Sequence, residues 1–178
     1  MKVYNNFNLK NKHKGSIILI GNFDGVHLGH RKLFNLAKKY KKKFNLNIGV
    51  LTFEPMPKMF FNKKIKNFKI SNFDQKIFLL KKLGVDFIVN KHFNFEFSQI
   101  KSLNFIQNII FKKFNSKFLF VSNNFRFGFK REGDVKQLIS HEHKFGYKIV
   151  KSEPFKIGKK VVSSTLIRNL LEGGYLKK

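Results

Sequence analysis

SIILIGNFDGVHLGHRKLF, residues Ser16–Phe34, is the stretch that decides the architecture. Ser16–Ile20 is a short, largely β-branched run closed by Gly21, the pattern of a buried strand. From Gly29 the spacing changes, with Leu33, Leu36, Ala37 and Tyr40 recurring on one face among lysines, so an amphipathic helix is predicted to about Lys43. The joint carries Gly25 and Gly29, two histidines three residues apart, and an aspartate. A helix start offers free amides and the positive end of a dipole, and glycine lets backbone approach a ligand, so the turn suits a phosphate. His27 and His30 can then face one anion from the loop and the first helical turn.

The same alternation continues outward. Strands are predicted at Leu46–Phe53, Asp86–Asn90, Lys117–Val121 and Tyr147–Val150. Between them lie helices capped by Ser71 or Asn72 and by Ser102, and a helix over Val135–Phe145. A last helix begins at Ser163 or Ser164, with Leu166, Ile167 and Leu170 as its apolar face and Gly173 as its stop. Short apolar strands separated by helices imply a Rossmann-like α/β fold with three layers, helices covering both faces of a five-stranded, mainly parallel sheet. Residues 1–178 read as one domain, without repeats. In such a sheet ligands bind beyond the carboxyl ends of the strands, where Gly21–His30 falls.

Composition limits the function classes. The N-terminus MKVYNNFNLKNKHKG has no apolar h-region, and no apolar run approaches the ~20 residues of a membrane span, so a cytoplasmic protein is expected. There is no cysteine, hence no disulfide and no thiolate to complete a zinc site around the two histidines. The net charge of +27 comes from 37 Lys+Arg against 10 Asp+Glu, but only Arg31, Arg126, Arg131 and Arg168 are arginines. Lysine, asparagine, phenylalanine and isoleucine share A/T-rich codons, so the bias reads chiefly as genome composition. It predicts nonspecific contact with nucleic acid or anionic membrane at low salt rather than a specific partner.

GxGxxG and GKS/GKT are both absent, which removes the common dinucleotide and Walker A readings. HLGH resembles instead the HxGH signature of the nucleotidyltransferase superfamily related to class I aminoacyl-tRNA synthetases. The longer run IGNFDGVHLGH, followed in order by LTFEPMPKMFF, SNNFRFGFKREGD and VSSTLIR, resembles the FMN adenylyltransferase domain of bacterial bifunctional riboflavin kinase/FAD synthetases from Gly21 to Arg168. The resemblance implies a nucleotidyltransferase fold and AMP transfer from ATP to FMN with Mg2+, giving FAD and pyrophosphate. It implies phosphate contacts from His27 and His30, nucleotide or pyrophosphate contacts from Ser163, Ser164, Thr165 and Arg168, an active-site Asn124, and aromatic segments around the flavin.

These assignments are chemically coherent. In-line transfer needs alignment and charge stabilisation rather than a strong base, because the FMN phosphate already carries its nucleophilic oxygen. Imidazole N–H groups, the amides around Gly21, Asn22, Phe23, Gly25 and Gly29, and a two-pronged Arg168 can hold phosphate. Taken structurally, Ser163 or Ser164 is only a cap and Arg168 only a solvated side chain. Asp24 has two readings of equal weight: a water-mediated Mg2+ ligand, or a hydrogen-bond acceptor that fixes the turn. Phe53, Pro55, Pro57, Phe60 and Phe61 form an apolar set at a strand end, and Phe125, Phe127 and Gly128 can close the other side of a flat ring slot, although 24 phenylalanines make such clusters common.

Met56 stands where the family has histidine, and Ser122-Asn123-Asn124 replaces its glycine and acids. These departures bear on rate, metal dependence and flavin preference. Only ten residues follow Arg168, so no riboflavin kinase domain is expected here, whether the chain is a natural one-domain enzyme or a part of a longer one. The competing expectations are another small-molecule nucleotidyltransferase, acting on nicotinate mononucleotide or pantetheine phosphate, and a non-catalytic basic protein that binds RNA or membrane surfaces. Oligomeric state is not legible in the sequence.

Overall fold

In a computed structural model, which describes residues 1–65 and 68–175, six strands form one parallel sheet. They are β1 (Lys2–Tyr4), β2 (Ile17–Ile20), β3 (Ile48–Glu54), β4 (Phe87–His92), β5 (Phe118–Ser122) and β8 (Lys148–Ser152). Their order is β1-β4-β3-β2-β5-β8, with every neighbour parallel. Five of these strands match the expected ones. β1 is the addition: Lys2–Tyr4 pairs with Phe87–Val89 at one edge. Three residues with one buried side chain leave no periodic signal, so the sequence does not mark this strand.

The remaining elements lie between these strands. Two short antiparallel strands, β6 (Arg126–Phe127) and β7 (Gly133–Asp134), follow β5, and a hairpin of β9 (Lys156–Ile157) and β10 (Lys160–Val161) follows β8. The helices are α1 (Leu28–Phe44), α2 (Pro57–Phe61), α3 (Phe73–Lys82), α4 (Phe95–Ser98), α5 (Ser102–Asn104, continuing as π-helix over Phe105–Lys113), α6 (Val135–Ser140), α7 (Glu142–Phe145) and α8 (Ser164–Glu172). The helix predicted over Val135–Phe145 is thus two, broken at His141.

Strand alternation sorts the core into two layers. Ile17, Leu19, Ile48, Val50, Ile88 and Phe120 face α1 and α3, where Leu33, Phe34, Ala37 and Leu80 cover them. Ile18, Ile20, Leu51, Phe53, Val89 and Leu119 face the π-helical segment, packing with Phe105, Ile106, Ile109 and Ile110. Both faces of the sheet are therefore buried, which is why its strands read as unbroken apolar runs.

Cap chemistry sets the helix starts. Asn72 and Gln75 exchange side-chain-to-backbone bonds in a capping box, and Ser163 accepts from the Leu166 amide. Ser102 is not the cap it was expected to be: it is the first helical residue, and its amide donates to Glu132 at 2.6 Å.

The strand order reverses beside β2. The chain leaves β2 toward α1 on one face and leaves β5 toward α6 on the other. The crevice between the carboxyl ends of β2 and β5 is therefore a topological switch point, and both GNFDGVHLGH and NNFRFG border it.

Candidate active site

On the α1/α3 side of that crevice, His27 is the N-cap of α1, and its Nδ1 accepts from the His30 amide at 3.4 Å. Accepting at Nδ1 places the proton of the neutral ring on Nε2. The two imidazoles stack with centroids 3.6 Å apart, and Phe23 meets His30 edge-on at 5.1 Å. Burial pushes the His30 pKa down to about 3, reinforced by the charges of His27 and Lys76. Burial also lowers His27, partly offset by Asp24. At neutral pH the pair is uncharged, and it offers N–H donors beside the free amides of a 17-residue helix.

Asp24 fixes this turn. Its buried carboxylate accepts from the amides of Ile70 (3.0 Å) and Ser71 (3.1 Å) and from Arg168 Nη2 (2.7 Å). The Gly25 amide donates to Ser71 Oγ at 3.1 Å. At φ +73° Gly25 is in the left-handed region, and a Cβ there would approach Ile70 Cγ2 to 2.7 Å. Phe23 and Val26 also have positive φ, at 47° and 41°. Each such residue costs of order 1–3 kcal/mol and persists only where its surroundings over-determine it. The Asp24 network supplies that constraint.

The last helix closes the turn from outside. Ser164 Oγ donates to the Asp24 carbonyl at 3.1 Å, while Arg168 Nε donates to the Phe68 carbonyl at 2.7 Å and its guanidinium lies over the Phe68 ring at 3.7 Å. Ser163, Ser164 and Arg168 are thus gathered at the histidine turn, as their order in VSSTLIR suggested; Thr165 is exposed beside them. Arg168, however, already forms an ion pair, and Ser163 is already a cap.

Among the two readings of Asp24, this geometry is that of the turn-holder. Both carboxylate oxygens accept hydrogen bonds from protein groups, and no cluster of three His, Cys, Asp or Glu suited to a metal occurs among the described residues. Mg2+ takes near-octahedral oxygen ligation and usually keeps several waters, bound through one or two carboxylates and substrate phosphates. With both oxygens committed to protein donors, Asp24 has the surroundings of a structural carboxylate and not of a direct metal ligand.

Across Gly21 and Asn22, on the other face of the sheet, lies a cavity of about 430 Å³. Phe53, Pro57, Phe61, Phe125, Phe127 and Gly128 line it with them. Phe125 and Phe127 stack at 5.6 Å with 15° between ring planes. Gly128, at φ +77°, lies so close to Ser102 that a Cβ would approach its amide nitrogen to 2.7 Å. Pro55 and Asn124 are not among the lining residues; Asn124 is exposed in the turn after β5. Met56 is buried as the N-cap of α2 and lines no part of the cavity.

Sequence reasoning missed part of the wall. Phe93, Phe97, Ile100 and Phe105 complete the apolar lining, and Lys58, Arg126, Lys130 and Arg131 place cations around it. HFNFEFSQI begins at the carboxyl end of β4, so its aromatics could have been placed at the ligand edge by topology alone. A slot walled by aromatics and ringed by cations suits a flat, apolar ring system bearing an anionic group.

Comparison with known proteins shows which family the chain resembles. A family of FAD synthetases matches over residues 9–166. The bifunctional riboflavin kinase/FMN adenylyltransferase of Buchnera aphidicola subsp. Acyrthosiphon pisum is 35% identical over 170 residues, covering 96% of this chain and 54% of that protein. The protein of that description from Escherichia coli K12 is 35% identical over 158 residues, covering 89% and 50%. The chain spans about half the length of the curated relatives it matches. A crystal structure from Streptococcus pneumoniae, described as a macrolide-efflux protein, superposes with a TM-score of 0.80 at 25% identity, covering 95% of this chain and 56% of that one. No helix among the described residues is long and apolar enough to cross a membrane.

Proposed function

This chain belongs to the FAD synthetase family, and we propose that it is an ATP:FMN adenylyltransferase in which the two halves of the switch-point crevice hold the two substrates. The observation that carries the reading is the junction at Gly21–Asn22, with the uncharged histidine pair and helix amides on one side and the cation-ringed aromatic cavity on the other.

The chemistry follows from that layout. A phosphate oxygen of FMN attacks the α-phosphorus of ATP; the bond from that phosphorus to the bridging oxygen breaks, and pyrophosphate leaves. His27 Nε2–H, the His30 ring and the first-turn amides of α1 donate to the transferring phosphate, so catalysis is alignment plus charge stabilisation. Asp24, Ser164 and Arg168 are positioning residues for that turn. Asn124 lies at the same sheet edge and reaches the nucleotide or flavin once both are bound. Mg2+ enters as part of the Mg·ATP substrate, ligated by phosphate oxygens and water, in keeping with its usual mode.

The cytoplasm is the proposed compartment. The net charge of +27 adds only salt-sensitive, nonspecific attraction for nucleic acid. The test is incubation of the protein with Mg·ATP and FMN, with riboflavin, nicotinate mononucleotide and pantetheine phosphate in parallel, following FAD and pyrophosphate by chromatography. FAD formed from FMN and not from riboflavin is the expected result. Pyrophosphate release with another acceptor, and none with FMN, overturns it.

A further inference from the structure

Beneath the histidine turn, on the second turn of α3, Lys76 is 3% exposed. No ion pair to it is formed among the described residues, whereas Arg168 nearby is paired with Asp24. A lysine is rarely buried without a partner, because desolvating an ammonium is costly. Two polar atoms on this side of the sheet, His30 Nδ1 and Asn90 Oδ1, are buried without hydrogen-bond partners among the described residues. Asn90 sits two residues beyond Ile88, on the α1/α3 face of β4, in register with Thr52, whose hydroxyl donates to the Asn22 carbonyl.

The charges around Lys76 define its surroundings. Asp24, Glu54 and Lys69 all influence its ammonium, as it influences the His30 ring. Asp24 is committed to Arg168, and Glu54 is paired with Lys69. Burial outweighs both carboxylates and lowers the lysine pKa. With both imidazoles neutral and Arg168 paired, the histidine turn itself brings no uncompensated charge to a polyphosphate.

We propose that Lys76 is a further substrate-contacting residue: its ammonium beside His30, without an ion pair among the described residues, engages the anionic phosphate chain of the nucleotide and of the leaving pyrophosphate. The inference rests on the nucleotidyl-transfer reading of this site but not on the identity of the acceptor. An incoming phosphate supplies a counter-charge and acceptor oxygens that no ion pair among the described residues provides.

The test uses the full chain and inorganic pyrophosphate as probe. Calorimetry should show pyrophosphate bound about 10- to 100-fold more weakly by Lys76→Met than by the wild type, the effect of losing one charged hydrogen bond, with Lys76→Arg recovering part of the affinity. The ligand-free Lys76→Met protein should melt at a higher temperature, since it no longer buries an unpaired charge. A structural lysine gives the opposite pair of results, a lower melting temperature and unchanged pyrophosphate affinity, and that pair overturns the proposal. If Lys76→Met does not fold, the wild type labelled with ¹³C-lysine decides: the Lys76 Cε resonance, assigned with Lys76→Arg, must move when pyrophosphate is added, and an unmoved resonance overturns the proposal. Weakened pyrophosphate binding in a protein whose wild type makes no FAD leaves this inference standing and removes only the FMN reading.

Discussion

Arg168 Nη2 lies 2.7 Å from Asp24 Oδ2 across 144 residues of chain, joining the last helix to the turn that carries both histidines. The side chains are 15% and 2% exposed, so neither charge is left to water. Removing one partner strands the other, which typically costs ~3–5 kcal/mol. Arg168→Met and Asp24→Asn should each lower unfolding free energy by about that amount, measured in urea. The double variant should lose less than the sum, with a coupling of about 1–3 kcal/mol. Additive losses would show that the pair does not act as a unit. Arg168→Lys should restore little, because a lysine cannot donate at once to the Phe68 carbonyl and to Asp24 while lying flat on the Phe68 ring.

The histidine pair gives a pH signature. His30 has a folded-state pKa of about 3 against 6.5 in the unfolded chain, so below pH 6.5 the unfolded state binds the extra proton. Its contribution to stability is fully present above pH 6.5 and is lost progressively as pH falls toward 3, at up to about 1.4 kcal/mol per pH unit. His27 is lowered as well and adds in the same direction. Urea melts between pH 7.5 and 4.5 should therefore show a steeper acid loss for the wild type than for His30→Gln. Parallel profiles for the two proteins would rule out a buried, neutral His30.

How much of this was readable from residues alone differs between the two half-sites. The histidine turn was legible because its parts are local: strand, glycines, imidazoles and helix lie within twenty residues, and each has a distinct chemical signature. The partners of Asp24 were not, because Ile70 and Ser71 act through backbone amides, which carry no side-chain signal. The sequence puts Arg168 near this turn, but nothing in VSSTLIR reveals that its guanidinium meets the Asp24 carboxylate. In the aromatic half, Phe53, Phe125 and Phe127 were found through motif position, whereas Phe93 and Phe97 were hidden by composition: among 24 phenylalanines only the three-dimensional arrangement separates wall from core.

Gly128 links the two small strands after β5 to α5. Its left-handed φ and its approach to the Ser102 backbone leave no room for a methyl group. Gly128→Ala should lose about 1–3 kcal/mol of stability through strain and displace the Phe125–Phe127 stack. A urea midpoint equal to the wild type's, with flavin affinity intact, would show that the loop relaxes without consequence.

The division of the crevice predicts a clean kinetic separation. Phe97 lines the aromatic cavity and packs against Phe53 and Phe93 at 5.6 and 5.7 Å, in the core layer on the opposite face of the sheet from Phe23 and Val26 of the histidine turn. Truncating a well-packed aromatic to alanine removes ring-stacking area without touching phosphate donors. Phe97→Ala should therefore raise KM for FMN about tenfold or more, while the equilibrium affinity for a non-hydrolysable ATP analogue stays within twofold. His27→Ala should do the reverse, lowering kcat by about 100-fold or more through lost stabilisation of the transferring phosphate and leaving FMN affinity, read by flavin fluorescence, near the wild-type value. Loss of both substrates' binding in either variant would mean that the two faces of the sheet do not hold separate ligands, and the assignment of flavin to the aromatic cavity would fall.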